Sequence, residues 1–235
     1  MKRIALCLAL MLAGIQPGWA ADPWIAGFTG FSALKDASYG YVGAVAAANN
    51  NLNVDGLLFR SSFGAGQYSY ETVPGVRQGV SFQQADAMMG YHMVLGPAHL
   101  SAYGGLELQN HDNADITAQV RGTHVGGKGQ LELYSPIGAD FYGFALGSFS
   151  SNFNSFYTMA KVGYRITDRL SFGPEGRRDG NYRYDHAATG GFVAYNFGWA
   201  DVALSGGYQF DLRTVAPGVE NASGGYGAVN LSFKF

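Results

Sequence analysis

Cysteine is nearly missing from the 235 residues; the only one is Cys7. Charge is scarce as well. Asp, Glu, Lys and Arg make up 14% of the chain, against about 25% in ordinary soluble domains. No basic tract occurs and the formal net charge is -2, so the electrostatic footprint of a nucleic-acid-binding protein is lacking. Past residue 20 no apolar run approaches the ~18 residues of a membrane-spanning helix, and no helical period is sustained. These absences exclude a disulfide scaffold, a helical membrane protein and a charge-rich helical enzyme. What the chain has is 35 Gly, 16 Phe, 15 Tyr and 3 Trp. The glycines follow no three-residue period, so collagen is excluded. A disordered chain would be poor in aromatics and rich in charge. The class that survives is a β-rich protein whose solvent is not only water.

The first twenty residues read as an export signal. Lys2 and Arg3 form a positive start, Ile4 to Ile15 is almost wholly apolar, and Gly18-Trp19-Ala20 supplies the small residues of a cleavage site. Cleavage is expected after Ala20, with Ala21 as the alternative, leaving one domain over residues 21–235. Cys7 falls in the removed segment, so no disulfide or cysteine metal ligand is expected. A short charged start before a Leu/Ala core reads as bacterial export.

The rest alternates with period two, the signature of strands with two unlike faces. Val202, Leu204, Tyr208 and Phe210 face one way and Ala203, Ser205, Gln209 and Asp211 the other. Leu57, Phe59 and Phe63 oppose Arg60, Ser62, Gly64 and Gly66. The pattern predicts strands at 24–33, 38–48, 54–70, 79–95, 98–110, 117–134, 139–149, 154–166, 169–177, 184–197, 201–212 and 224–235. Connections such as Gly96-Pro97 and Thr167-Asp168 are short, whereas Glu71–Gln78, His111–Ile116, Arg178–Arg183 and Arg213–Ser223 are mostly longer. Alternating short and long connections match a barrel with periplasmic turns and extracellular loops. The expectation is an all-β, transmembrane, antiparallel up-and-down β-barrel of about 12 strands, with 10 as the alternative count. A secreted sandwich competes, but its polar face would not be so rich in glycine. Val229, Leu231, Phe233 and Phe235 alternate with polar residues at the C-terminus. Such a last strand reads as the signal used by the outer-membrane assembly machinery, a partner along with the membrane lipid.

Chemical constellations are few. His111-Asp112 and Asp185-His186 are expected in extracellular loops, where a His beside a carboxylate can serve as a base or simply cap a strand. No Ser is expected beside a His partner. Gly126-Gly127-Lys128-Gly129 lacks the Lys-Ser/Thr step of a phosphate loop. Asp112, Asn113 and Asp115 miss the calcium-loop spacing, and His92, His99 and His124 share no metal-ligand spacing. No catalytic residue, metal ligand or cofactor is assigned. The inward charges are more informative. By alternation Arg60, Asp86, Glu107, Lys128, Glu132, Lys161, Arg165, Glu175 and Asp211 point to the lumen. Buried charges must pair or meet water, so the lumen is either a salt-bridged plug or a wet channel. Gly64, Gly66, Gly126, Gly163, Gly173 and Gly207 on the same face are expected to leave room there.

Several segments resemble the cellulose biosynthesis protein BcsS family. They are Tyr39-Gly-Tyr-Val-Gly-Ala-Val45, Asp55-Gly-Leu-Leu-Phe-Arg60, Met89-Gly-Tyr91 with Leu95-Gly-Pro-Ala98, Val162-Gly-Tyr-Arg165, Phe172-Gly-Pro-Glu175, Gly180-Asn181 with Tyr184, and Gly190-Gly-Phe192. Ala188 departs from the basic residue often found there. The resemblance implies a non-enzymatic outer-membrane barrel that assists export or surface attachment of cellulose or another exopolysaccharide, with no known reaction. The competing readings are an outer-membrane hydrolase or protease using a loop Asp/His pair, and a small-solute porin.

Overall fold

The computed structural model describes residues 23–73, 76–212 and 223–235. The export signal expected over residues 1–20, with Cys7, lies outside the described residues, as does most of the expected loop 213–223. Twelve strands follow in order: β1 (Ile25–Leu34), β2 (Ala37–Ala47), β3 (Gly56–Val73), β4 (Val76–Leu95), β5 (Ala98–Asn113), β6 (Gly122–Ile137), β7 (Phe141–Ser150), β8 (Ser155–Arg165), β9 (Leu170–Gly180), β10 (Asp185–Asn196), β11 (Ala200–Asp211) and β12 (Gly224–Lys234). Each pairs antiparallel with its sequence neighbour. β1 pairs with β12 from Ala26↔Lys234 to Leu34↔Tyr226, which closes the sheet. The count is twelve, and the topology is up-and-down. Closure matters in lipid, because an open sheet edge would leave backbone N–H and C=O groups without partners.

Short turns sit at the end where β1 begins and β12 finishes. Gly96, Gly138 and Gly198 hold positive φ of 65°, 69° and 91° in three of them, a conformation in which a Cβ is strained. The β2–β3 turn uses asparagines instead. Asn50 takes φ 60°, and Asn49 donates to the Asp55 carbonyl at 2.9 Å while the Asn53 N–H donates to the Asn51 side chain at 2.8 Å. Asn side chains close such turns by mimicking backbone groups.

Outward positions are apolar. Phe31, Leu57, Phe59, Phe63, Leu106, Leu131 and Leu204 are all exposed, as a lipid-facing belt requires. Trp24, Phe141, Phe197 and Trp199 gather at the short-turn end, where Trp199 stacks on Phe233 at 5.9 Å. Aromatic rings there match the girdle at a membrane interface.

Several boundaries differ from expectation: β5 runs to Asn113 rather than 110, β6 to Ile137 rather than 134 and β9 to Gly180 rather than 177, and two further regions change more. The expected loop at 71–78 is a strand ladder through Glu71↔Arg77 to Val73↔Val76. Arg77 bonds Asp36 and Ser69, which extends the pairing upward. Conversely β6 begins at 122, not 117. The Asn113 side chain donates to the Val120 carbonyl at 3.3 Å and accepts from the Asp115 N–H at 3.0 Å, folding 114–121 into a rim loop. The wall is uneven. β3, β4, β5 and β6 have 18, 20, 16 and 16 residues, while the other strands have 10 to 12.

Candidate functional site

The interior is built from inward side chains around two charged centres. In the middle, β3 to β6 carry Arg60, Asp86, Glu107 and Lys128. Arg60 reaches Asp86 at 3.0 Å, and Lys128 bridges Asp86 at 2.8 Å and Glu107 at 2.6 Å. Ser62 donates to Asp86 at 2.7 Å and Gln109 to Glu107 at 2.7 Å. The four charged side chains are 2% to 11% exposed. The other wall holds a second centre. Glu175 on β9 pairs with Lys161 on β8 at 2.9 Å and accepts from Ser205 and Tyr226, each at 2.8 Å. The Lys161 ammonium lies 4.9 Å from the Phe192 ring and the Arg177 guanidinium 4.0 Å from the Tyr226 ring. A buried carboxylate is costly unless its oxygens find such partners.

The remaining three inward candidates lie outside the ion pairs of these two centres. Glu132 accepts from Gln130 at 2.5 Å. Arg165, near the short-turn end, donates to the Tyr134 hydroxyl at 2.7 Å and lies 5.1 Å from the Tyr142 ring. Asp211 ends β11 opposite His186, and its N–H donates to Ser223 at 2.9 Å.

The inward glycines do not leave open space. A Cβ at Gly64 would lie 2.2 Å from the Tyr39 hydroxyl, and one at Gly163 would lie 2.2 Å from the Tyr142 ring. Gly66, Gly173 and Gly207 would strike the carbonyls of Ser38, Val162 and Thr189, and Gly126 the side chains of Ser151 and Asn152. These positions lack a side chain because rings and neighbouring backbone occupy the volume.

Alternation also points Tyr41, Tyr39, Phe82 and His111 inward, as a row in that order with centroids 5.8, 5.7 and 5.5 Å apart. Tyr68 and Tyr70 share the parity of Arg60, and Arg177 and Asp179 that of Glu175, so alternation could have found these four.

The expected loop Asp/His pairs separate. His111 and Asp112 are both on β5, His111 buried inward and Asp112 exposed outward, so they form no dyad. Asp185 opens β10 and takes two bonds from Arg178, at 2.9 and 2.7 Å. His186 instead faces Asp179, with 3.9 Å between the nearest nitrogen and oxygen. One Ser does stand beside a His, contrary to expectation. Ser101 and His92 are paired across the β4–β5 hairpin, with Oγ to Nδ1 at 2.9 Å, and His92 Nε2 is 3.2 Å from His99 Nδ1. Residues 92 and 101 flank Gly96-Pro97 symmetrically, so the register carried this signal. The third member is an imidazole rather than a carboxylate, and Ser101 and His92 are both buried. Among the described residues no three His, Cys, Asp or Glu converge as a metal site.

A closed twelve-strand sheet with an apolar outer belt and charges turned inward defines an outer-membrane β-barrel. The chain belongs to the family described as Cellulose biosynthesis protein BcsS, whose model matches residues 26–235. No curated protein matches it. Among solved structures, the KdgM porin is similar with a TM-score of 0.51 and 9% identity, covering 89% of this chain and 99% of that one. The TodX deltaS2S3 mutant monoaromatic hydrocarbon channel gives 0.52 and 10%, over 92% of both chains. The Pseudomonas putida toluene transporter TodX gives 0.52 and 8%, over 92% of this chain and 89% of that one. At such identities the likeness is one of fold.

Proposed function

We propose that the chain is a non-enzymatic accessory barrel of cellulose or related exopolysaccharide production, which holds the polymer at the cell surface. It is exported by a signal over residues 1–20 and reaches the membrane through the outer-membrane assembly machinery. Family membership supports the pathway. One observation favours attachment over passage through the barrel: Arg60, Asp86, Glu107 and Lys128 are cross-linked in the middle of the lumen with little exposure. A wet channel would leave such side chains solvated. The small-solute porin is the competing reading, and only the fold of its porin and channel neighbours speaks for it.

Two measurements test this. Deleting the gene should lower cell-associated cellulose, and the purified barrel in a planar bilayer should pass no steady current. Unchanged polymer together with a stable open conductance would replace the accessory reading with the porin.

A further inference from the structure

The outer wall of the tall side changes character within one step along the strands. Leu108 on β5 and Val125 on β6 face lipid. The next outward positions up are Asn110 and Thr123, which bond each other at 3.1 Å. Beside and above them on the same face stand Gln83, Ser81 and Asp112. Ser81 is register partner to Asp112, and Gln83 to Asn110. Together with Arg121, which lies just before the bend at Gly122 (φ 76°), they line a cleft of about 340 Å³. That is the lower end of the ~300–1,000 Å³ of ligand clefts.

The groups in this cleft are held but not used up. Thr123 donates to the Asn110 carbonyl oxygen, which leaves the Asn110 amide nitrogen without a partner among the described residues. Arg121 Nε donates to the Asn113 carbonyl at 3.0 Å, which fixes the arm and leaves both terminal nitrogens without a partner among the described residues. The side chains of Ser81, Gln83 and Asp112 have no partner among the described residues either, and all three are exposed. Donors and acceptors thus alternate over two strands. Ser81 and Gln83 are about 7 Å apart along β4, and the neighbouring strand is about 4.8 Å away. Such a grid suits vicinal hydroxyls, each of which both donates and accepts. The cleft carries one carboxylate and one guanidinium, so it offers no concentrated cation for a phosphate-rich headgroup.

We infer that this outer-wall cleft binds a short segment of a neutral, polyhydroxylated glycan just above the lipid edge. The inference rests on the accessory reading for the identity of the glycan and assigns its contact to the outside of the wall, not the lumen. It also gives Asp112 a role that a dyad with His111 cannot.

The test uses the full barrel folded in phosphocholine vesicles, with cellohexaose as soluble probe and amorphous cellulose as insoluble probe. The wild type should be retained on amorphous cellulose and released by cellohexaose. Gln83→Ala and Asp112→Ala should each reduce retention at least fivefold, while Arg169→Ala at the opposite end should not. These side chains are exposed, and gel mobility before and after heating confirms that each variant is folded. Equal retention of the two cleft variants and the wild type overturns the inference. So does a wild type that ignores both probes but binds vesicles containing phosphorylated glycolipid, which would make the cleft a headgroup site. The gene deletion is scored separately. Lost polymer without cellohexaose binding removes the cleft and keeps the accessory role; cleft-dependent binding without a polymer defect does the reverse.

Discussion

Tyr226 lies across two glycines to reach Glu175. The tyrosine is on β12, Gly207 and Gly190 follow it on β11 and β10, and Glu175 is on β9, where its oxygen takes the hydroxyl at 2.8 Å. A Cβ at Gly190 would stand 2.5 Å from that hydroxyl. Four strands are thereby tied by one side chain, and the same carboxylate holds Lys161.

Removing that carboxylate should therefore cost more than one hydrogen bond. Glu175→Gln leaves the Lys161 ammonium, 12% exposed, without its counter-charge. The expected loss is about 3–5 kcal/mol, and the double variant Lys161→Met with Glu175→Leu should recover most of it. The midpoint of urea unfolding in vesicles, followed by tryptophan fluorescence, checks both. A single variant as stable as the wild type would mean that water already solvates the lysine.

Glycines should divide by what faces them. Gly173→Ala drives a Cβ to 1.8 Å from the Val162 carbonyl, which is backbone and cannot turn away. A loss of about 1–3 kcal/mol is expected. Gly227→Ala meets nothing within 4 Å and should change stability by no more than about 0.5 kcal/mol. The same unfolding measurement should separate the two, and equal effects would contradict the packing.

The closing seam is the third test. Phe235 donates its N–H to Ile25 at 2.9 Å and its carbonyl accepts from Trp24 at 2.9 Å. Deleting Phe235, or changing Phe233 and Phe235 to Ser, should abolish recovery of heat-modifiable protein from the outer membrane. Val229 and Leu231 share the outward parity of Phe233. A truncated chain that still assembles in normal amounts shows that the last strand carries no entry signal.

Ser101 is predicted to be structural. Ser101→Ala strands the His92 Nδ1 in a buried position, at about 1–3 kcal/mol. Polymer production should nonetheless persist, and a fluorophosphonate probe should not label the wild type. Stoichiometric labelling at Ser101 would turn the hairpin into an enzyme site.

The rim loop should respond to acid. Hydrogen bonds from the Thr117 hydroxyl, and then from its N–H, hold the Asp115 carboxyl below its ordinary range. A lowered pKa means the turn is fully supported above the ordinary carboxylate value and loosens as pH falls through the lowered one. Amide exchange at Thr117 should accelerate there, and Asp115→Asn should remove the pH dependence. An unchanged profile in the variant would place the titration elsewhere.

Alternation made most of this barrel legible, because lipid outside and packed polar groups inside impose opposite chemistry on adjacent residues. It located Arg60, Asp86 and Lys128 on one face without showing that they meet. Composition alone misleads where rings turn into the lumen. Tyr39 and Tyr41 look lipid-facing by composition, yet they fill the volume over Gly64 and Gly30. The loop expected at His111–Ile116 falls instead at 114–121, because one amide side chain, bonding Val120 and Asp115, outweighs the strand pattern just before Gly122. The Ser101–His92 contact was readable only through the register about Gly96-Pro97. The cleft on the outer wall needed the observed lengths of β4 and β5, since no pattern says where lipid stops.

Those lengths give the molecule a bearing. A cylinder of even height presents the same profile to every neighbour sliding past in the plane of the membrane. Here four adjacent strands carry roughly 20–33 Å more chain than the shortest ones, at ~3.3 Å per residue. One flank is a parapet and the opposite flank stays low. Anything that approaches in the membrane plane meets a landmark on one side only, and unequal strand length gives the barrel a distinguishable flank.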